Sequence, residues 1–216
     1  MRRAPRGLPE AGALATAPRP PPAAARDARP HIPGDALLDI TPKELDFLNF
    51  YRASELHGGL ILGQIARRAR DTALVLELTR HRAEEVMHAQ LWTETIIAVG
   101  GRVRPVRETY QARYARHVGT PTALLDVLAL TQTFERRVYR HFTEHLRRPG
   151  THPAVQATLA RMLQEERGHL RWVRRWLAEQ ERVLGGAVAA AMRRYAAADA
   201  LVYAEMTGEL GWREAA

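Results

Sequence analysis

Two short stretches of this chain carry side chains suited to holding a metal. In RAEEVMHAQLW (82–92), Glu85 and His88 stand three residues apart; in LQEERGHLRW (163–172) the pair is Glu166 and His169. On a helix this spacing puts both side chains on one face. Each pair thus offers a carboxylate and an imidazole to a single ion. With 17 Glu and 9 His among 216 residues, chance supplies about 0.7 such pairs. The chain has two, and each follows a lone glutamate 30 or 31 residues upstream: Glu55 before Glu85, and Glu135 before Glu166.

Four helices must position these residues. Thr41-Pro42-Lys43-Glu44 joins a capping Thr, a first-turn Pro and a capping-box Glu. Leu45, Leu48, Tyr51, Glu55, Leu62 and Ile65 then recur at helical spacing to about Ala69. Gly58 and Gly59, one turn beyond Glu55, predict either close helix packing or open space beside a metal. Asp71 can cap a second helix running to Gly100-Gly101, with Leu74, Leu78, His81, Glu85, His88, Trp92 and Ile96 on one face. His81 fits a hydrogen-bonded core histidine better than a third ligand. A third helix is expected from Thr120-Pro121 to about Leu146, with Leu124, Leu128, Thr131, Glu135, Val138 or Tyr139, and Phe142 inward. A fourth starts near Thr151–Pro153 and puts Leu159, Met162, Glu166, His169, Val173 and Trp176 in register, until Gly185-Gly186 interrupts it. An alanine-rich fifth helix, roughly 187–207, then caps the bundle or forms a subunit contact, as in a homodimer.

Each of the four helices therefore carries one Glu in an otherwise apolar stripe, although burying an unpaired carboxylate is strongly unfavourable. Two divalent cations would balance four negative charges, and mixed carboxylate–imidazole ligation suits iron or manganese better than structural zinc. Glu84 and Glu165 are rotated about 100° from the motif glutamates, which leaves them on or near solvent.

Composition sets the outer bounds. There is no cysteine, which excludes disulfides, thiolate clusters and a rubredoxin module and permits a reducing cytoplasm, the expected location. No run approaches the roughly 18 apolar residues of a membrane span. Pro5, Arg6, Pro9 and Glu10 break up any signal-like apolar region behind Arg2-Arg3. Residues 1–34 hold eight of the 13 prolines and form an expected disordered leader. The bundle is assigned to 35–184, and the C-terminal helix and tail to 185–216. Half of the net charge of +8 sits in the leader. The connection 102–118 interleaves five Arg with Tyr110 and Tyr114. That is the composition of a nucleic-acid contact strip, or more simply of a solvated arginine-rich crossover along the bundle.

The order Glu55, Glu85-x-x-His88, Glu135, Glu166-x-x-His169 resembles that of the ferritin-like di-iron carboxylate proteins over about residues 41–180. The resemblance implies an all-α, ferritin-like four-helix bundle with a long crossover between helices 2 and 3 and an extra C-terminal helix. It implies two iron ions, or a manganese–iron or manganese–manganese pair, bridged by Glu85 and Glu166. Glu55 and Glu135 would be terminal ligands, and His88 and His169 would each hold one metal. The second His leans towards the rubrerythrin and oxygenase side of the family. Lack of cysteine departs from a full rubrerythrin, so electrons would come from an external donor or reductase. The implied activity is that of a di-iron oxidoreductase acting on dioxygen or peroxide, as a rubrerythrin-like oxidase or peroxidase. A substrate hydroxylase such as a tRNA-modifying monooxygenase, with an RNA substrate, is one alternative. A non-enzymatic iron-binding or storage protein is another. Tyr51, Trp92 and Tyr139, each about one turn from a ligand, fit packing or an electron relay.

Overall fold

The computed structural model of the chain describes residues 40–212; the expected leader, 1–34, lies outside them. The described residues are all-α, with six helices: α1 (Pro42–Ala66), α2 (Thr72–Ala98), α3 (Tyr110–Val118), α4 (Leu124–Arg147), α5 (Pro153–Leu184) and α6 (Ala187–Leu210). The N-terminal signals act as their chemistry dictates. Thr41 accepts from the Glu44 amide, with Pro42 in the first turn of α1, and Asp71 accepts from the Leu74 amide at the start of α2. Gly185 and Gly186 both have positive φ and turn the chain from α5 into α6.

Two apolar clusters fill the interior. One contains Phe47, Leu48, Tyr51, Trp92, Phe142, Leu159 and Met162; the other contains Leu62, Leu78, Leu128, Trp172 and Val173. Every motif glutamate lies on its helix between a residue of the first cluster and one of the second. Glu55 falls between Tyr51 and Leu62, Glu85 between Leu78 and Trp92, Glu135 between Leu128 and Phe142, and Glu166 between Met162 and Trp172. The carboxylates therefore occupy one level of the bundle, with apolar packing on either side.

The same order fixes the topology. α2 finishes at the Trp92 end, whereas α4 starts at the Leu128 end, so the connection has to run the length of the bundle. It contains a feature absent from the sequence expectation, the nine-residue helix α3, capped by Thr109 and ended by Gly119 at φ +78°. α4 begins three residues after Pro121, with Ala123 at its N-cap and no side-chain cap bond, and not at Thr120-Pro121 as expected. The helix starts where its apolar face starts, at Leu124, Val127 and Leu128. α6 packs along α4 and α3. It is fastened by Asp199, which accepts from Tyr110 Oη (3.0 Å) and Tyr114 Oη (2.6 Å) through one oxygen and from Arg137 (2.6 and 2.8 Å) through the other. Among the described residues no helix is long and apolar enough to cross a membrane.

Candidate metal centre

All six motif residues are buried and converge on one volume. Ligand atoms of Glu55, Glu85, His88 and Glu166 lie within 4.8 Å of one another. Those of His81, Glu85, Glu135 and His169 form a second group within the same limit. Glu85 belongs to both. Glu166 also spans them, with one oxygen 3.3 Å from His88 Nδ1 and the other 3.2 Å from His169 Nδ1. Of the histidines, Glu55 approaches His88 (3.7 Å) and Glu135 approaches His81 (3.3 Å). Two glutamates thus lie between the groups and two lie at the ends.

Both histidines turn Nδ1 inward and Nε2 outward. His88 Nε2 meets Glu165 at 2.9 Å, and His169 Nε2 meets Glu84 at 2.8 Å. The pairing is reciprocal: the glutamate beside the motif on α2 holds the histidine of α5, and the one on α5 holds the histidine of α2. Glu84 and Glu165 are near solvent as expected, with side chains 39% and 35% exposed, but their ends reach back across the helix pair. A carboxylate on the outer nitrogen sets the tautomer and leaves the inner lone pair for a metal. The repeated Glu-Glu-x-x-His was the sequence signal for this role.

His81 completes the second group, stacked on His169 at 3.7 Å between ring centres. The Trp172 indole N–H, which can only donate, points at His81 Nδ1 at 3.3 Å. The proton therefore sits on Nε2, from which it is shared by Glu85 (3.1 Å) and Glu135 (3.3 Å). In this tautomer His81 orients the carboxylates and offers no lone pair to an ion. The close approach of α1 and α2 has a glycine cause. A Cβ on Gly58 would lie 2.6 Å from Glu85 Oε2, and one on Gly59 would lie 3.3 Å from Val86. Gly58 therefore clears space for the carboxylate itself, and Gly59 serves the packing.

Electrostatics mark the same place. Burial pushes the Glu85 and Glu135 carboxyls well above the ordinary value, and neighbouring carboxylates add to it. Burial also raises Glu55, against the pull of His88. Glu166 goes the other way: burial opposes ionisation, but hydrogen bonds from Glu135, His169 and His88 hold it well below. Burial acts to lower His88, yet Glu166 and Glu55 push it up to about 12. His88 Nδ1 is nonetheless a buried nitrogen with no hydrogen-bond partner, facing two carboxylates. A cation between them satisfies all three, and an oxygen–imidazole donor set without thiolate suits iron or manganese. The residues fit a pair of divalent ions.

Comparisons with protein-family models, curated proteins and solved structures gave no match. The chemistry of the site carries the functional argument.

The remaining expectations divide. Tyr51 and Trp92 are buried with ring centres 5.2 Å apart. The Tyr51 hydroxyl engages His141 Nε2 (2.6 Å) and His145 Nδ1 (3.1 Å), a buried polar cluster that sequence reading missed. Its signal was the His141–His145 spacing of four on α4. Tyr139 is half-buried and accepts from Arg167 Nε at 3.0 Å. In the arginine-rich connection the two tyrosines serve the fold: Tyr110 and Tyr114 are buried on Asp199. Arg113 pairs with Glu209 (2.5 Å), Arg116 with Glu205 (2.8 Å) and Arg104 with Asp46 (3.0 Å).

Proposed function

We propose that the protein is a ferritin-like di-iron oxidoreductase that uses dioxygen or peroxide. The observation that carries this reading is the pair of buried Glu/His groups sharing Glu85. Glu55, His88, Glu85 and Glu166 would hold one iron, and Glu135, His169, Glu85 and Glu166 the other. Such a pair, when bound, supplies two electrons together at positions open to a small oxidant.

The chain's own residues do the rest. Glu84 and Glu165 hold the two imidazoles with Nδ1 inward. His81 keeps a proton on Nε2 against Glu85 and Glu135, so that those carboxylates stay aligned as charge in the site changes. The apolar clusters on either side exclude water, which strengthens every charge interaction between them. With no cysteine in the chain, electrons are supplied by a separate donor.

The test is metal content after anaerobic ferrous loading, for wild type and Glu85→Ala, followed by oxygen uptake and an absorption spectrum on the same samples. About two irons per chain, lost in the variant, with oxygen consumed and a ferric absorption gained, is the expected result. Two irons held without oxygen or peroxide consumption would make this a metal-handling protein. No bound metal, with Glu85→Ala folding as well as wild type, would end the reading.

A further inference from the structure

Residues of α1, α3, α4 and α6 surround a pocket of about 30 Å³, and Glu55 is part of its wall. Arg137 and Val138 of α4 are half-buried and the rest of the wall is buried, so the outer side of the pocket lies at those two residues. One water needs roughly 10–15 Å³ and two to four polar partners, whereas organic ligands occupy sites of roughly 300–1,000 Å³. The pocket therefore has room for a molecule of two or three heavy atoms and for nothing of metabolite size.

The chemistry of the wall narrows the occupant further. Phe50, Phe134, Val138, Phe142 and Met206 give it apolar surface. The remaining wall residues carry polar groups, but each is engaged elsewhere. Tyr51 Oη meets His141 Nε2 (2.6 Å) and His145 Nδ1 (3.1 Å), and the other nitrogen of His141 meets Tyr203 Oη at 3.2 Å. Ser54 Oγ accepts from the Tyr110 amide at 3.3 Å, while Tyr110 Oη and Arg137 both donate to Asp199. The Glu55 carboxylate is grouped with Glu85, His88 and Glu166. A water or a peroxide would bring O–H donors and lone pairs into a space that offers them no partner, which is unfavourable. An apolar cavity of this kind stays dry and takes up apolar gases.

We propose that this pocket holds dioxygen beside Glu55 and refuses hydrogen peroxide. Dioxygen has two heavy atoms, no dipole and no hydrogen to donate, so it gives up little on leaving water and asks nothing of the wall. Glu55 belongs both to the wall and to a ligand group, so a molecule held there is one side chain from the metal position. No bond forms or breaks in the pocket; it is a holding site. The inference rests on the reading of the centre as one that uses a small oxidant, and it selects which of the two oxidants that is.

The first arm of the test needs no metal. The full, metal-free chain with labelled methyl groups is placed under dissolved dioxygen, and paramagnetic relaxation is recorded for each Met and Val methyl. Met206 and Val138, in the wall, should relax several-fold faster than Met162, which is buried in the same apolar cluster as Met206 but does not line the pocket. Xenon should shift the Met206 and Val138 methyls saturably. Val138→Phe fills the pocket from its outer side and should abolish both effects at Met206. Circular dichroism and melting temperature report its folding, and Val138→Ile is a milder filling variant that should give a partial loss. The second arm uses the iron-loaded chain: Val138→Phe should keep the wild-type iron content, slow oxygen uptake several-fold and leave peroxide consumption unchanged. Relaxation at Met206 no greater than at Met162, gas binding lost with oxygen uptake unchanged, or oxygen and peroxide slowed alike would each overturn the proposal. Gas uptake at Met206 in a chain that binds no iron would instead sink the metal-centre reading and leave the gas site standing.

Discussion

At position 58 a single added methyl group should disturb the proposed metal centre while leaving the fold intact. Gly58→Ala favours the helix by roughly 0.5–1 kcal/mol, but its Cβ would fall 2.6 Å from Glu85 Oε2. Glu85 would have to swing away from His81 and His169. The expected outcome is a melting temperature close to wild type with iron stoichiometry strongly reduced. Gly168→Ala is the matching control, because a Cβ there meets nothing within 4 Å; it should raise stability by about 0.5–1 kcal/mol in urea titration and leave metal binding alone. Glu84→Gln and Glu165→Gln test the outer hold on the histidines. Each should weaken iron binding about 10- to 100-fold in competition with a chelator, with circular dichroism unchanged. A loss no larger than that of a remote surface Glu→Gln would deny both residues this role. The six motif residues were legible because helical phase alone exposes a buried carboxylate. Glu84 and Glu165 were marked only by the repeated Glu-Glu-x-x-His, since their phase points outward and it takes the reach of a long side chain across to the next helix to bring them back.

At the scale of elements, caps and faces were the readable part. Thr41 and Asp71 act as their sequence context dictates, and the apolar stripes of α1, α2 and α5 are largely buried. α3 was hidden because its buried face is polar and aromatic: Tyr110, Gln111, Arg113 and Tyr114. Tyr110, Arg113 and Tyr114 become inward-facing through partners about 85 to 96 residues away, on α6, and Gln111 through the Ser54 carbonyl of α1. Asp199 makes the buried part of that connection, beside the ion pairs of Glu205 and Glu209. Asp199→Ala would leave two buried phenols and Arg137 without their acceptor, which should cost about 3 kcal/mol or more. Urea unfolding measures it. Asp199→Asn should be milder, since Oδ1 can still accept from the tyrosines while the Arg137 ion pair is lost. Equal stability of Asp199→Ala and wild type would mean that its buried hydrogen bonds add nothing net to the hold on α6.

For the whole molecule, pH and metal should act against each other. Glu55, Glu85 and Glu135 have carboxyls raised above the ordinary 4.5 in the folded chain. Above pH 4.5 the unfolded chain releases those protons first, so their contribution to metal-free stability falls as pH rises. His88, raised from 6.5 to about 12, has the same sign: its contribution is complete below 6.5 and is lost on the alkaline side. His141 has the opposite sign. Burial, with the charges of His145, Arg137 and Arg148, pushes it down to about 3. Between pH 6.5 and about 3 the unfolded chain takes up a proton that the folded chain refuses, at a cost of up to about 1.4 kcal/mol per pH unit. Glu166, held low, adds a loss below 4.5. The metal-free protein should therefore be most stable at mildly acidic pH and should weaken towards pH 9. On the proposed reading divalent ions would replace the retained protons, so iron loading at pH 7 should release more than one proton per chain into a weakly buffered indicator solution. The gap in melting temperature between loaded and metal-free protein should widen steadily from pH 5 to pH 8. A gap independent of pH would mean that the carboxyls are already ionised without metal, and that fixed arginine or backbone charges, not cations, balance the buried glutamates.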